Sequence, residues 1–403
     1  MKTIDLFAGA GGFSQGFEQA GFDVIWAIDN DDKTEETFEE NHDCDMVVDD
    51  ITAVDPENVE LSKNEVDVVI GGPPCPTFSL VGRSKINSIK DRDNTEDERH
   101  QLYQDFLKFV DYYQPKFFVM ENVKGMMSAE NEDGEDVVSV IKSEMDSIGY
   151  DANVQVLNSA NFGVPQKRER LFFIGNRLGK QNPDMSKWRS HREPESEEEK
   201  SIKFKSDSSD FPSYEEDPDE RKPWNTVNDA IMDLPPVVSK GSTPPKNTED
   251  YTMGSVSEYQ EWARDTTEDW EDATLNNHVC RGHNMRDLTL YKLMGEGVTY
   301  KIGDLPEEHQ PYRTDIFPDK MKKQNPKEPS STVVAHLYKD GHMFVHPREA
   351  RSITVREAAR LQSFKDSFNF PVARTHAFKQ VGNAVPPLLS RAIAEATKEK
   401  FLD

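Results

Sequence analysis

Cys75 stands in the run Val68-Val69-Ile70-Gly71-Gly72-Pro73-Pro74-Cys75-Pro76-Thr77-Phe78-Ser79, where an apolar stretch ends in two glycines and three prolines surround a single cysteine. Proline fixes φ and removes a backbone donor, so this frame holds one sulfur at a defined place past the carboxyl end of a strand. Open α/β sheets keep their reactive groups there, and a thiolate so placed is a nucleophile rather than packing material. An inert turn cysteine would not need that frame.

The elements that must position this sulfur begin at the first residues. Lys2-Thr3-Ile4-Asp5-Leu6-Phe7 reads as a strand, Ala8-Gly9-Ala10-Gly11-Gly12 as a turn, and Phe13 to Ala20 as a helix with Phe13 and Phe17 on one face. Glycines let backbone approach a ligand closely, and the N–H groups that open a helix suit an anion such as a carboxylate or phosphate. A second strand, Phe22 to Ile28, ends at Asp29, where a doubly wound sheet takes hold of ribose hydroxyls. Asp50 recurs after Met46-Val47-Val48, at the end of a third strand, placed to accept a hydrogen bond from an adenine amino group. The glycine turn and these strand-end carboxylates outline an adenosine site, with a dinucleotide as the alternative occupant.

Further blocks follow in a fixed order: Glu121-Asn122-Val123, Gln166-Lys167-Arg168-Glu169-Arg170, Arg356-Glu357-Ala358-Ala359-Arg360-Leu361-Gln362 and Val381-Gly382-Asn383-Ala384-Val385-Pro386-Pro387. Together with the Asp5 to Gly12 and Gly72 to Cys75 segments, they resemble the cytosine-C5 DNA methyltransferase family. The resemblance implies a sequence-specific enzyme that moves a methyl group from S-adenosylmethionine to C5 of a flipped cytosine in double-stranded DNA, leaving S-adenosylhomocysteine. Position 5 of cytosine is too weak a nucleophile to take a methyl group from a sulfonium, so a thiolate must first add at C6 and turn the ring into an enamine. Cys75 matches that thiolate. Glu121, after Phe117-Phe118-Val119-Met120, matches the carboxyl group that protonates N3 and fixes the exocyclic amine.

Arg168 and Arg170 alternate along a stretch that runs into Leu171-Phe172-Phe173-Ile174, so both guanidinium groups are expected on one side, which the resemblance makes the cytosine pocket. Asn122 is implied to orient the cysteine loop. For the cofactor the resemblance implies Phe7, Gly9, Gly11 and Gly12 around the methionine and adenosine, Asp29 on the ribose and Asp50 on the adenine amine. Asn30, Ile51, Pro73, Leu102, Asn383, Ala384 and Val385 complete the implied contacts. Two positions depart from the family pattern: Asp29 where Glu is commoner, and Pro76 where Gln is commoner after the cysteine. No metal is implied.

The fold expected is α/β: a doubly wound, mostly parallel Rossmann-like methyltransferase sheet with a second, smaller mixed domain. Residues 1–178 and 350–403 are expected to form the S-adenosylmethionine-binding catalytic domain, and 179–349 the target-recognition domain, with an acidic insertion near 193–220. The polar segment from Thr77 to about Asp97 resembles a mobile loop that closes over DNA, with Gly82, Arg83, Ser84 and Lys85 at the phosphates. In the recognition region Asp287 to Met294 reads as a helix, and Ser330 to His346 as a β-ribbon turning at Asp340-Gly341. Thr332-Val333 resembles a small pair found in that domain. His278, Arg281, His283, Arg286, His336, Lys339 and His342 are the polar candidates for base contact.

The 403 residues exceed one simple core, and 35% hydrophobic content still suits a folded α/β body. No apolar run reaches membrane length, and Met1-Lys2-Thr3-Ile4-Asp5 runs directly into the first strand, so a cytoplasmic protein is expected. Cys44, Cys75 and Cys280 form neither a disulfide framework nor a metal spacing. A monomer is expected, with a cognate restriction endonuclease as a further partner. Alternatives are a tRNA cytosine-5 methyltransferase, disfavoured by the long variable region, and an inactive DNA-binding relative, disfavoured by the intact cysteine and Glu-Asn-Val.

A net charge of −27 runs against the basic footprint of most nucleic-acid proteins. It points to a halophilic prokaryote, whose high-salt cytoplasm screens repulsion from DNA at a Debye length of ~3 Å at 1 M. Thermal stability and activity should therefore both rise from low salt toward molar KCl. Melting curves and methylation assays across a salt series test this, and an optimum near about 0.1 M with steep loss of DNA binding above it refutes the high-salt reading.

Overall fold

The computed structural model describes residues 1–74, 102–131, 134–201, 211–237, 251–264, 275–296, 300–310, 320–339 and 341–402. The chain divides into two compact units, one of Met1–Asn158, Glu169–Trp188 and Leu389–Asp403, the other of Ser159–Arg168 and Arg189–Leu388.

The first unit is built on a seven-stranded sheet. Its strands are β1 (Lys2–Leu6), β2 (Asp23–Asp29), β3 (Met46–Val48), β4 (Val68–Gly71), β5 (Phe117–Val123), β6 (Asp151–Asn158) and β8 (Glu169–Asn176), while the two-residue β7 (Gln166–Lys167) belongs to the second unit. The order is β3-β2-β1-β4-β5-β8-β6. All neighbours run parallel except β8, which lies antiparallel to both β5 and β6. This is the mostly parallel α/β sheet expected of the sequence, with one reversed strand near an edge.

Helices cover both faces because alternate side chains of a strand point to opposite sides. Phe117 meets Phe22 and Phe401 edge to face or tilted, whereas Phe118 meets Phe106 and Tyr150. Phe106 comes from the helix Leu102–Tyr113, and Phe401 from the C-terminal helix Pro387–Leu402. From Leu389 onward that last helix lies in the first unit. Ser390 Oγ donates to the carbonyl of Phe13 at 2.6 Å, and Lys398 Nζ to that of Ala20 at 2.9 Å. Both acceptors lie on or just after α1 (Gly12–Gln19), so the end of the chain closes back on its beginning. On α2 (Asp32–Asn41), Thr34, Thr37 and Phe38 are buried while Asp32, Glu35, Glu36, Glu39 and Glu40 face solvent.

The second unit consists of short elements joined by buried ion pairs. Arg360 reaches Asp233 at 2.7 Å and Asp366 at 2.5 Å, Arg264 reaches Asp233 at 2.7 Å, and Arg351 reaches Glu357 at 2.6 Å. The helix Val355–Leu361 is opened by a capping box of Thr354 and Glu357. Arg356, on the same helix, donates to the carbonyls of Asn276, Lys365 and Phe368. These bonds explain why residues 350–388 group with the second unit, whereas the sequence suggests a division near 350. The helix expected over Asp287 to Met294 is present as Met285–Leu293.

The β-ribbon expected over Ser330 to His346 does not form. Ser330–Ser331 instead pairs in parallel with Gln166–Lys167, and the following residues make the 3-10 turns Ala335–Tyr338 and Gly341–Met343. The backbone of Val333 is already engaged by Gln166 Oε1 at 2.8 Å, which removes it from any hairpin ladder. Asp340 lies outside the described residues. Of the acidic stretch near 193–220, Glu199 is held by Arg192 at 2.9 Å, and 202–210 lie outside the described residues.

Gly16 offers a direct test of the chain closure. A Cβ there would lie 2.3 Å from Ser390 Cβ and 2.5 Å from the backbone nitrogen of Arg391. Gly16→Ala should therefore destabilise the protein by about 1–3 kcal/mol despite alanine's better helix propensity, as read by urea unfolding.

Candidate active site

Strand order reverses between β1 and β4: from β1 the chain builds outward through β2 and β3, and from β4 through β5 to β8 and β6. Open sheets bind ligands in the crevice past the carboxyl ends of such a pair. The glycine turn leaves β1 at that place. Phe7 (φ 62°), Gly9 (φ 57°) and Gly11 (φ 83°) all adopt left-handed backbone, which a phenylalanine rarely does. Gly11 also caps α1, and a Cβ on it would lie 2.0 Å from Nε2 of the buried His42 ring. A Cβ on Gly9 would meet no atom within 4 Å, so that backbone is open to a ligand.

Asp29 at the end of β2 accepts hydrogen bonds from the N–H groups of Gly9 and Asp31, each at 2.9 Å. It thereby links the glycine turn to the next loop, and the exposed Asn30 lies between Asp29 and Asp31 in sequence. Asp50 is exposed and caps a 3-10 turn, accepting from Thr52 N–H at 3.0 Å and from its hydroxyl at 2.8 Å. Ile51 beside it is buried, and Leu102 packs on the same apolar core.

A carboxylate that sequence reasoning did not single out lies beneath the turn. Asp5, in the middle of β1, is 1% exposed and accepts a 2.6 Å bond from Ser14 Oγ. Burial pushes its pKa up to about 8 against the Ser14 bond, with the charges of Asp29 and Glu18 adding to the rise. The available signal was an acid set between the apolar Ile4 and Leu6 of a strand. His42 Nδ1 lies 2.8 Å from Glu18 Oε2 in the same region. Cys44 is half-buried there with its thiol pushed up to about 12 by burial, and Cys280 is buried elsewhere, so neither resembles a reactive thiolate.

On the other side of the strand reversal, β4 leads into Gly72, the buried Pro73 and Pro74. Asn122 is 2% exposed and donates its side-chain amide to the Pro73 carbonyl at 3.1 Å, while its oxygen accepts from Val123 N–H at 2.8 Å. Glu121 lies beside this segment, its Oε2 3.4 Å from where a Gly72 Cβ would be. Arg170 Nε is 3.0 Å from Glu121 Oε1, with both side chains largely buried. The pairing follows from the antiparallel β8, which sets Arg170 opposite Val123 and Phe172 opposite Glu121. Cys75 and the 77–97 segment lie outside the described residues.

The two arginines do not act alike. The ladder is broken at Arg168, between β7 and β8, and this side chain donates to the carbonyls of Val333 at 2.9 Å and Gly382 at 3.2 Å within the second unit. Asn383, Ala384 and Val385 also belong to that unit, the first exposed and the last buried. Among the candidate base readers, His278 is buried against Thr354 and Pro235, and His283 is buried against Ser352, so neither presents a surface imidazole. Arg286 and Lys339 are exposed, whereas Arg281 donates to the Tyr338 carbonyl and His342 bonds Tyr291. His336 is half-buried.

Truncating the two arginines should separate structure from activity. Arg168→Ala leaves two buried carbonyls unpaired and should cost about 3 kcal/mol or more of stability. Arg170→Ala should cost about 1 kcal/mol while slowing turnover roughly tenfold or more, because Glu121 loses the group that holds it. Chemical denaturation and single-turnover kinetics on both variants check the contrast.

A model of the C-5 cytosine-specific DNA methylase family matches residues 1–399. The chain is 35% identical to the type II methyltransferase M.DdeI of Desulfomicrobium norvegicum, over 98% of this chain and 88% of the relative. It is 32% identical to the type II methyltransferase M.AgeI of Thalassovita gelatinovora over 99% of each. Among solved structures, it resembles in fold a DNA modification methyltransferase encoded within a prophage (E. coli), with a TM-score of 0.71 and 24% identity over 100% of both chains. The chain therefore belongs to the C-5 cytosine-specific DNA methylase family and is a DNA (cytosine-5-)-methyltransferase.

Proposed function

We propose that the enzyme methylates C5 of a cytosine flipped out of double-stranded DNA, through a covalent bond from Cys75 to C6. The observation that carries this reading is the buried bond from Asn122 to the Pro73 carbonyl, two residues before Cys75, with Glu121 next to it. It ties Pro73, which precedes Cys75 by two residues in sequence, to the strand end that bears the acid. Such rigidity is what nucleophilic addition to an aromatic ring requires, since a small misplacement of the attacking atom costs much of the rate.

The residues divide the work as follows. The Cys75 thiolate adds its electron pair to C6, and Glu121 supplies a proton to N3, so that the ring becomes an enamine with density at C5. After C5 is methylated, its proton passes to solvent, the electron pair left behind forms the C5–C6 double bond and expels the thiolate, and the N3 proton returns to Glu121, which restores the neutral aromatic ring. Arg170 holds the Glu121 carboxyl group in place. When bound, S-adenosylmethionine supplies the methyl group as a sulfonium electrophile.

The glycine turn fits that cofactor: its backbone is open at Gly9, and Asp29 and Asp50 stand at the ends of adjacent parallel strands. Phe7, Gly11, Gly12, Asn30, Ile51, Pro73 and Leu102 would line it, and the family resemblance adds Asn383, Ala384 and Val385 to the cofactor contacts. We assign cofactor and chemistry to the first unit and target reading to the second. The enzyme acts as a cytoplasmic monomer, a cognate restriction endonuclease cutting the same site, and the exposed acid of α2 suits a high-salt cytoplasm.

DNA carrying 5-fluorocytosine at the target should trap a stable protein adduct in the presence of cofactor, because fluorine cannot leave as a proton. Cys75→Ser should form none, and an adduct that survives this change moves the nucleophile elsewhere. Glu121→Gln should slow transfer ~10²-fold or more with a smaller loss of cofactor binding.

A further inference from the structure

Asp5 is a charged-type side chain with nothing charged to pair it. Its Oδ2 accepts from Ser14, whereas Oδ1 is buried with no hydrogen-bond partner among the described residues. In the sheet its register partners are Ala27 on β2 and Ile70 on β4, both fully buried and apolar. The titratable groups that act on it are Asp29 at the end of β2, Glu18 on α1 and Cys44 after α2. Two of these are acids and the third is a thiol, so none supplies positive charge, and His42 pairs with Glu18 rather than with Asp5. A buried carboxylate in such company keeps a proton or acquires a cation.

We infer that Asp5 is a proton-exchanging group of the cofactor site: in the ligand-free enzyme its buried carboxyl carries a proton, and a positively charged adenosyl cofactor displaces that proton to solvent on binding. The inference rests on the reading of the glycine turn as the S-adenosylmethionine site. Only the Asp5 O–H bond breaks, and the proton passes to buffer while the ligand's positive charge takes its place electrostatically. The rise of the carboxyl pKa to about 8 agrees with this arrangement. Its sign sets the pH dependence: below that value binding must expel a proton, so affinity falls as pH falls, by up to about tenfold per unit, and levels off above it.

The test is calorimetric titration of the full-length protein with S-adenosylmethionine in phosphate and in Tris, whose different ionisation heats report proton release. Near about pH 7 the wild type should release close to one proton more than Asp5→Asn, and its affinity should climb toward about pH 8 while that of the variant stays flatter. The uncharged 5′-methylthioadenosine should release much less. Ser14→Ala, which removes the bond that favours the carboxylate, should move the wild-type affinity midpoint to higher pH. Equal proton release from wild type and Asp5→Asn overturns the inference, as does an unmoved midpoint in Ser14→Ala should Asp5→Asn fail to fold. Binding without this proton leaves the cofactor reading standing and removes only the role of Asp5; no binding at any pH removes both.

Discussion

The parallel pairing of β1 with β4 is the constraint on which the rest of the first unit depends. Leu6 lies opposite Gly71, and a Cβ on Gly71 would sit 2.4 Å from the Leu6 carbonyl oxygen. Only glycine lets these backbones approach so closely. Because the chain builds away from this pair in both directions, two loops leave the sheet at one place: the glycine turn after β1 and the Gly72-Pro73-Pro74 segment after β4. Such a pair of loop origins past the carboxyl ends of neighbouring strands is where open α/β sheets bind their ligands. The same pairing places Asp5 between Ala27 and Ile70, which is why its carboxyl group is dry.

The reversed strand β8 supplies what a purely parallel sheet could not. Running antiparallel to β5, it returns Arg170 to the strand end that carries Glu121, so an acid and its holder come from segments far apart in sequence. Asn122, next along β5, points its amide to the Pro73 carbonyl. Adjacent residues of one strand face opposite ways, and here the alternation turns Glu121 to Arg170 and Asn122 to the Pro73 loop.

Charge in this protein is distributed by sign. The chain carries −27 overall, yet the largest fully buried side chains are arginines: Arg168, Arg351, Arg356 and Arg360. Each is met by buried carboxylates or backbone carbonyls, among them Asp233, Asp366 and Glu357. The planar guanidinium fork satisfies several acceptors at once, which lysine cannot do. Such networks contribute little net stability against their desolvation, but losing one partner is costly, so they hold short helices and 3-10 turns in a single arrangement.

Local signals in the sequence determined the elements that need only near neighbours: the strand, glycine turn and helix from Lys2 to Gln19, the strand ends at Asp29 and Val48, and the C-terminal helix, because hydrophobic period and turn chemistry are properties of a few adjacent residues. The order of the family blocks carried the α/β class for the same reason. What only the tertiary structure decided were environments set by distant pairings. Arg168 and Arg170 look equivalent as alternate residues of one run, but the ladder breaks between them and their guanidinium groups go to different partners. Ser330 onward has the alternation of a ribbon, but Gln166 captures its backbone first. His278 and His283 carry polar labels, and packing buries both. Asp5 reads as one more strand residue until its apolar register partners, the acids nearby and the Ser14 hydroxyl are assembled around it; a pKa belongs to that surrounding field, and no window of sequence contains it.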